Sequence, residues 1–332
     1  MSSYLAVVGE CLVDVVHSET SAPKAHVGGS PFNVAVGLAR LEHDVVFAGR
    51  RGDDDYGRMI ARSLRSQGIT ALLEADAEPT SVARATLDPT GQASYEFTLD
   101  WSLPSAKELE EAFRGLVRER GETGGSPSGG SSSCLELLHT GSIGAMVQPG
   151  AGVVKEVLNR ARDVATISYD PNYRPTLVPN REEARAQAED FIALADVVQA
   201  STDDLDLLYP ERSHRQTMEA WMELGPGLVT VTRGASGAMA LARSGFAEQP
   251  AFAIEVADTV GAGDSFMAAT LSTLRSLGLL GASNRQALQD LGPEKVREVL
   301  RTAAWAAAVT SSRFGAQPPT AGELAAVLEQ DA

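Results

Sequence analysis

Cysteine is scarce in this chain, and lysine nearly so. Only Cys11 and Cys134 occur among 332 residues, far apart and in apolar surroundings. That excludes a disulfide framework and any C-x-x-C metal motif, and makes a reducing compartment the expectation. The five histidines show neither H-E-x-x-H nor H-x-H spacing, so no zinc site is expected. Long apolar runs are missing too. Residues 5–8 are cut short by Gly9-Glu10, and the first three residues carry no basic charge. Neither a signal peptide nor a membrane span is expected, and a soluble, cytoplasmic protein is. Positive charge is also short, with 28 basic against 44 acidic residues and a formal charge of −16. This argues against a nucleic-acid or anionic-membrane partner. It leaves a phosphorylated ligand open, because backbone N–H groups can cradle phosphate in an acidic protein. Lysine stands only at 24, 107, 155 and 295, never within G-x-x-x-x-G-K-[ST], which excludes a P-loop NTPase.

What is present is a β–α rhythm in a chain that is 43% apolar and long enough for one or two compact units. Short runs at 5–8, 45–48, 135–139, 165–169, 197–199 and 228–231, the first of them partly β-branched, read as buried strands. Helical patterns follow at 31–41, 56–67, 150–161, 181–193, 203–208, 264–274, 294–310 and 322–328. The first has Ser30 as expected N-cap and Pro31 at N1. The alternation predicts an α/β fold with a mostly parallel sheet covered by helices. Residues 12–27 and 71–100 break the rhythm with alternating segments around the turn at 88–92. They predict a small antiparallel sheet, readable either as a lid or as a plain surface hairpin. The predicted core is therefore 1–11, 28–70 and 101–332. Residues 121–133, rich in Gly and Ser, read as a flexible loop within it.

The segment Asp258-Thr259-Val260-Gly261-Ala262-Gly263-Asp264 carries the chemistry. Its glycine turn leads into a helix, and N–H groups at a helix start stabilise an anion. Asp264 in the first turn either caps the helix or serves as a base beside the bound anion. Phosphoryl transfer needs both donors for the charge and a carboxylate for the hydroxyl proton. A dinucleotide fingerprint fails, since Phe266 stands where a third glycine belongs and Glu10-Cys11-Leu12 follows the first strand.

With Ser265-Phe266, this segment resembles the D-T-x-G-A-G-D-x-F signature of the PfkB/ribokinase family of carbohydrate kinases. Gly28-Gly29-Ser30-Pro31-Phe32-Asn33-Val34-Ala35 resembles that family's G-G-x-x-x-N-x-A signature. Val231-Thr232-Arg233-Gly234-Ala235-Ser236-Gly237-Ala238 is similar to its nucleotide segment. The resemblance implies a ribokinase-like fold with a small β lid, and ATP and Mg²⁺ as cofactors. It implies Asp264 as general base and an anion hole from Gly261, Ala262, Gly263 and Asp264. It places Asp14, Gly28, Gly29 and Asn33 on sugar hydroxyls, although Asn33 also reads as an ordinary early-helix residue. Ser201, Thr232, Gly234, Gly237, Gly261 and Gly263 fall on the nucleotide. The family's N-x-x-E is replaced here by Ser201-Thr202-Asp203-Asp204, so Asp204 is expected to reach Mg²⁺ through water, with Asp203 a second candidate and capping by Ser201 the plain alternative. Asp258, Val260, Thr310, Arg313 and Gly315 match a monovalent-cation seat, where K⁺ is expected, although Pro319 removes an oxygen sometimes found there.

Tyr169-Asp170-Pro171-Asn172-Tyr173-Arg174 is similar to the D-x-N-x-R segment of fructokinase-like and sugar-acid members. Arg174 is expected to face the phosphates or the substrate, or else to form a salt bridge on its loop. Tyr95 and Phe97 are the expected lid aromatics. The acids Glu96 and Asp100 beside them disfavour a carboxylate substrate, so a neutral sugar, fructose or a related ketose, is expected. Arg84 keeps a sugar-acid kinase open. Phe32, Tyr95, Phe97 and Trp101 keep a nucleoside kinase open, and a non-catalytic sugar sensor is the reading outside enzymes. A homodimer through the lid is a further expectation of the resemblance.

Overall fold

The computed structural model describes residues 3–18, 21–87, 93–122 and 134–331. Its strands are β1 (Ser3–Val8), β2 (Leu12–Ser18), β3 (Ser21–Gly28), β4 (Val45–Ala48), β5 (Thr70–Ala71), β6 (Val82–Leu87) and β7 (Ala93–Thr98), then β8 (Cys134–Gly141), β9 (Thr166–Asp170), β10 (Val197–Ser201), β11 (Leu228–Thr232), β12 (Ala238–Ala242) and β13 (Gly245–Gln249). Nine of them form one sheet in the order β13-β12-β11-β10-β9-β8-β1-β4-β5. All its pairs are parallel except those at the β11–β12–β13 edge. Side chains alternate across it as the two-residue period of a strand requires. Leu5 and Val7 face one apolar layer, Ala6 and Val8 the other, and all four are fully buried.

The helices covering these faces are α1 (Ser30–Arg40), α2 (Asp55–Ser66), α3 (Ala106–Glu122), α4 (Ser142–Met146), α5 (Gly150–Ala161), α6 (Arg181–Ile192), α7 (Thr202–Leu208), α8 (His214–Glu223), α9 (Ala262–Ser276), α10 (Arg285–Gln289), α11 (Pro293–Ser311) and α12 (Ala321–Gln330). The expected parallel sheet flanked by helices is the architecture observed. The expected Gly/Ser loop is shortened at its start, because α3 runs through Glu122; its remainder, 123–133, lies outside the described residues, as does the turn at 88–92.

A separate sheet has the order β3-β2-β6-β7. Each hairpin is antiparallel, and the two join through a parallel β2–β6 pairing. Residues 71–81, expected in this sheet, run elsewhere. β5 pairs with β4 on the large sheet, and Asp76 bridges Gly52, so the small sheet resumes only at Val82. A second correction concerns α1. Its N-cap is Gly29, with no side-chain cap, because the Ser30 hydroxyl is drawn to a carboxylate on α9.

Candidate active site

From β1 the chain moves to β4 and β5 on one side of the sheet, while β8 to β11 extend on the other. Strand order therefore reverses beside β1 and β8, and the crevice beyond their carboxyl ends is where α/β sheets bind ligands. The N-termini of α1 and α9 lie together there. Ser30 Oγ donates to Asp264 Oδ1 at 2.6 Å, and Asn33 Nδ2 donates to Asp264 Oδ2 at 2.8 Å. The two segments singled out in the sequence, more than 230 residues apart, thus converge on one carboxylate. Burial raises the pKa of Asp264, while these two bonds and the charge of Arg174 oppose the rise.

Asp264 does not cap its helix. Gly261 is the N-cap of α9, at φ +75°, and a Cβ there would stand 2.5 Å from the Ala316 Cβ. Both the left-handed backbone and the close approach demand glycine. The Ala262 N–H turns to the Thr259 carbonyl at 3.2 Å. The N–H groups of Gly263 and Asp264 lie in the first turn, where no intrahelical acceptor exists. This start of α9 can accept an anion beside a carboxylate that can accept a proton.

Asp14 on β2 and Arg174 face the same space. Burial lifts Asp14 to about 6, while His26 and Arg174 pull it down. Gly28 packs so closely that a Cβ would meet Asp14 Oδ2 at 2.1 Å. Gly29 accepts the Asn33 N–H into the first turn of α1. Arg174 Nη1 donates to the carbonyls of Asn172 and Tyr173, which fold its guanidinium back over its own loop. Phe97 packs against Leu12, Ala83 and Ile143. Tyr95 registers with Ala85 on the small sheet, and its side chain lies outside the described residues.

Three groups here escaped the sequence reading. Glu10, buried after β1, accepts the Gly144 N–H at 2.7 Å, and burial lifts it to about 7. Asp170, buried at the end of β9, is pushed well above the usual carboxylate range by burial, then by the charges of Asp204 and Asp264. Gln199 on β10 donates to Asp170 and to the Gly263 carbonyl. Only the Asp-x-Asn-x-Arg segment hinted at Asp170. Nothing in the spacing marks Gln199 or Glu10.

Ser201 and Thr232 end β10 and β11 in register with each other, with Gly234 and Gly237 in the turn beyond. Asp204 sits in the first turn of α7, 5% exposed. Its Oδ2 accepts from the Ser201 N–H and hydroxyl, and its Oδ1 from the Tyr173 N–H. Two of those three bonds, those from the Ser201 N–H and hydroxyl, belong to the capping box that was the plain alternative for Ser201, and all three tie the carboxylate into the fold. The neighbouring Asp203 is exposed, and the described residues hold no cluster of three metal-ligating side chains. Asp258 accepts from the N–H groups of Val260 and Gly315, tying the two loops of the expected cation seat together. The Thr310 carbonyl accepts the Arg313 N–H, and Arg313 pairs with Glu323.

Comparison with known proteins agrees with this geometry. Residues 2–119 and 134–321 match the pfkB family carbohydrate kinase pattern. The chain is 29% identical to fructokinase-1 of Zea mays over 97% of its length and 96% of the relative's. It is 32% identical to a fructokinase of Vibrio alginolyticus over 81% of its length and 83% of the relative's. The crystal structure of a Xylella fastidiosa fructokinase with bound ATP superposes at TM-score 0.83, with 27% identity and full coverage of both chains. The aminoimidazole riboside kinase of Salmonella enterica shares the fold at TM-score 0.75 and 23% identity, covering 98% of this chain and all of that one. The signature helices, the paired sheets and this match across most of the chain make it a member of the pfkB family of carbohydrate kinases, an enzyme that phosphorylates a sugar.

Proposed function

We propose that the protein transfers the γ-phosphoryl group of ATP to a hydroxyl of a neutral sugar, with fructose or a related ketose as the best candidate. The observation that carries this is the single carboxylate of Asp264, held between Ser30 and Asn33 at the anion-accepting start of α9. The substrate hydroxyl would give its proton to Asp264, whose raised pKa suits it to accept one. The N–H groups of Gly263 and Asp264 would take the charge on the transferred group. Asp14, Gly29 and Asn33 would bind sugar hydroxyls with paired donors and acceptors. Ser201, Thr232, Gly234 and Gly237 would line the nucleotide's side of the crevice.

A divalent ion would arrive on the nucleotide phosphates with most of its waters, which suits Mg²⁺ and needs no cage of side chains; its chemistry there is neutralisation of phosphate charge. Asp258 and the carbonyls of the two loops it joins are the residues that would hold K⁺. Fructokinase relatives support the ketose. Arg174 is the one observation favouring a sugar acid, since its charge reaches Glu10, Asp14 and Asp264.

A coupled ADP-release assay over fructose, ribose, 2-keto-3-deoxygluconate and adenosine tests the reading. Fructose is expected to give the highest kcat/KM, and preference for another acceptor would replace it. Asp264→Asn is expected to lower kcat by at least ~10³-fold with little change in sugar affinity. Near-normal turnover in that variant would remove Asp264 as the base.

A further inference from the structure

Gln199 is 1% exposed, and its side-chain nitrogen serves two acceptors at once. It donates to Asp170 Oδ2 and to the Gly263 carbonyl, each at 2.9 Å. The Gly263 carbonyl can only accept, so the amide nitrogen must face it, and the same nitrogen donates to Asp170. The other end of the amide, Oε1, is buried and finds no hydrogen-bond partner among the described residues. Leaving an acceptor unpaired is unfavourable, so the two N–H bonds outweigh it.

Those bonds reach the chemistry from two sides. The peptide joining Gly263 to Asp264 is planar and trans, so its carbonyl and its N–H point in opposite directions. A donor that holds the Gly263 carbonyl therefore sets the direction of the Asp264 N–H, one of the two first-turn groups facing the anion. On the other side, Asp170 Oδ1 accepts the Asn172 N–H at 2.9 Å. Asn172 adopts φ +38°, a conformation a non-glycine residue holds only with support, and it turns the chain toward Arg174. Burial and the charges of Asp204 and Asp264 push Asp170 toward its neutral form, and the Gln199 bond works against them.

We propose that Gln199 is a positioning residue for phosphoryl transfer, aiming the Asp264 N–H through the Gly263 carbonyl and holding the Arg174 loop through Asp170 and Asn172. The inference rests on the kinase reading above. Gln199 touches neither substrate nor phosphate in it and acts through groups that do.

Gln199→Met keeps the volume and removes both N–H donors, while Gln199→Lys restores donors to a carboxylate and a carbonyl within reach. Steady-state kinetics on the intact protein, with ATP and the preferred sugar, separates the two. In Gln199→Met, kcat is expected to fall ~30–100-fold with the sugar KM within ~3-fold, the pattern of a lost transition-state interaction. Gln199→Lys is expected to return kcat to within ~5-fold of wild type. An unchanged kcat in Gln199→Met, a raised KM at constant kcat, or a Lys variant no better than Met would overturn the proposal. If Gln199→Met does not fold, Gln199→Asn takes its place. It is one methylene short and reaches only one acceptor, so kcat should drop while KM holds, and an equal kcat would overturn the proposal. Wild-type turnover is measured first. Its absence overturns the kinase reading and this inference together, whereas an active wild type with an unaffected Gln199→Met overturns the inference alone.

Discussion

Glu10 ends the crossing out of β1 with its carboxylate enclosed and hydrogen-bonded to the Gly144 N–H. Burial moves it from an ordinary 4.5 to about 7, against the opposing bonds from Gly144 and Ser142 and the charge of Arg174. A carboxyl with a raised folded pKa holds more proton folded than unfolded between those two values. Stability is therefore lost as pH rises from 4.5 to 7 and levels off above it, by about 3 kcal/mol if the whole shift is expressed. Glu10→Gln keeps the acceptor for Gly144 and cannot ionise. The change in urea midpoint from pH 5 to pH 8 should then be more positive in the variant than in the wild type; an identical pH slope in both would show that Glu10 does not titrate as described. Ser30 teaches a related lesson. The sequence Ser-Pro before a helical pattern reads as a cap, and locally that reading is sound. A carboxylate 234 positions away takes the hydroxyl instead. Asp264 was legible because glycines frame it, whereas Ser30, Glu10 and Gln199 draw their roles from partners that spacing along the chain cannot bring near. Ser30→Ala should raise the Asp264 pKa further by removing a bond to its charged form, moving the acid limb of the kcat/KM profile to higher pH. A limb at the wild-type position would count against that bond in solution.

Among the elements, the strands were the most legible, because a short, largely apolar run closed by glycine or a polar residue has few other uses. The crossing segments were not. Residues 71–81 alternate like a strand, yet Arg50 and Thr80 hold them beside the large sheet. Arg50, 5% exposed, donates to the Pro79 carbonyl at 2.9 Å and to Asp76 at 2.6 Å, and reaches the Asp100 carbonyl at 3.4 Å. Its own carbonyl accepts the Cys11 thiol. The guanidinium thereby fixes two of the four chain crossings into the small sheet, before β6 and after β7, while the Arg50 backbone carbonyl holds a third, before β2. Arg50→Met should loosen that sheet relative to the large one. Amide exchange in β2, β6 and β7 should quicken ~10-fold or more while β8 to β11 keep their protection. The sugar KM should rise with kcat nearly constant, because Asp14 and Phe97 ride on the loosened strands. Uniform quickening across both sheets would mean that Arg50 supports general stability only. The start of α9 is fixed in the opposite way, by what is missing. Gly261→Ala puts a methyl into Ala316 at positive φ, which should cost about 2–3 kcal/mol of stability and misplace the anion-binding turn. Thermal unfolding and kcat should fall together, and a variant of wild-type stability would contradict the packing.

For the whole molecule, the β–α rhythm settled the architecture because a parallel sheet needs covered faces, while the order of its strands depended on which face each crossover helix took. That arrangement also encloses titrating groups whose pKa values shift in opposite directions. His139 lies in the sheet with Nδ1 against the Ser168 hydroxyl, and burial lowers it to about 3. His43 lies between Ser272 and Arg275, and burial followed by the Arg275 charge lowers it to about 4. Arg275 can only donate, so His43 accepts at Nδ1 and is neutral. A histidine with a lowered folded pKa contributes stability that is complete above its unfolded value of 6.5 and is lost as pH falls toward the folded value. Glu10 and Asp14 slope the other way over 4.5–7 and 3.8–6. The opposing slopes overlap and partly offset one another between about pH 4.5 and 6.5, with the raised Asp170 and Asp264 adding to the carboxyl side. Below that window the histidines and the carboxylates with depressed folded pKa values both lose stability, which should drop steeply. Urea midpoints taken from pH 3.5 to 8 trace this curve. His139→Asn keeps an amide for Ser168 and removes the titration, so its acid limb should be distinctly shallower than the wild type's. If the two limbs run parallel, His139 is not what drives acid unfolding, and the loss must come from the carboxylates whose folded pKa values are depressed, Asp54 and Glu323 among them.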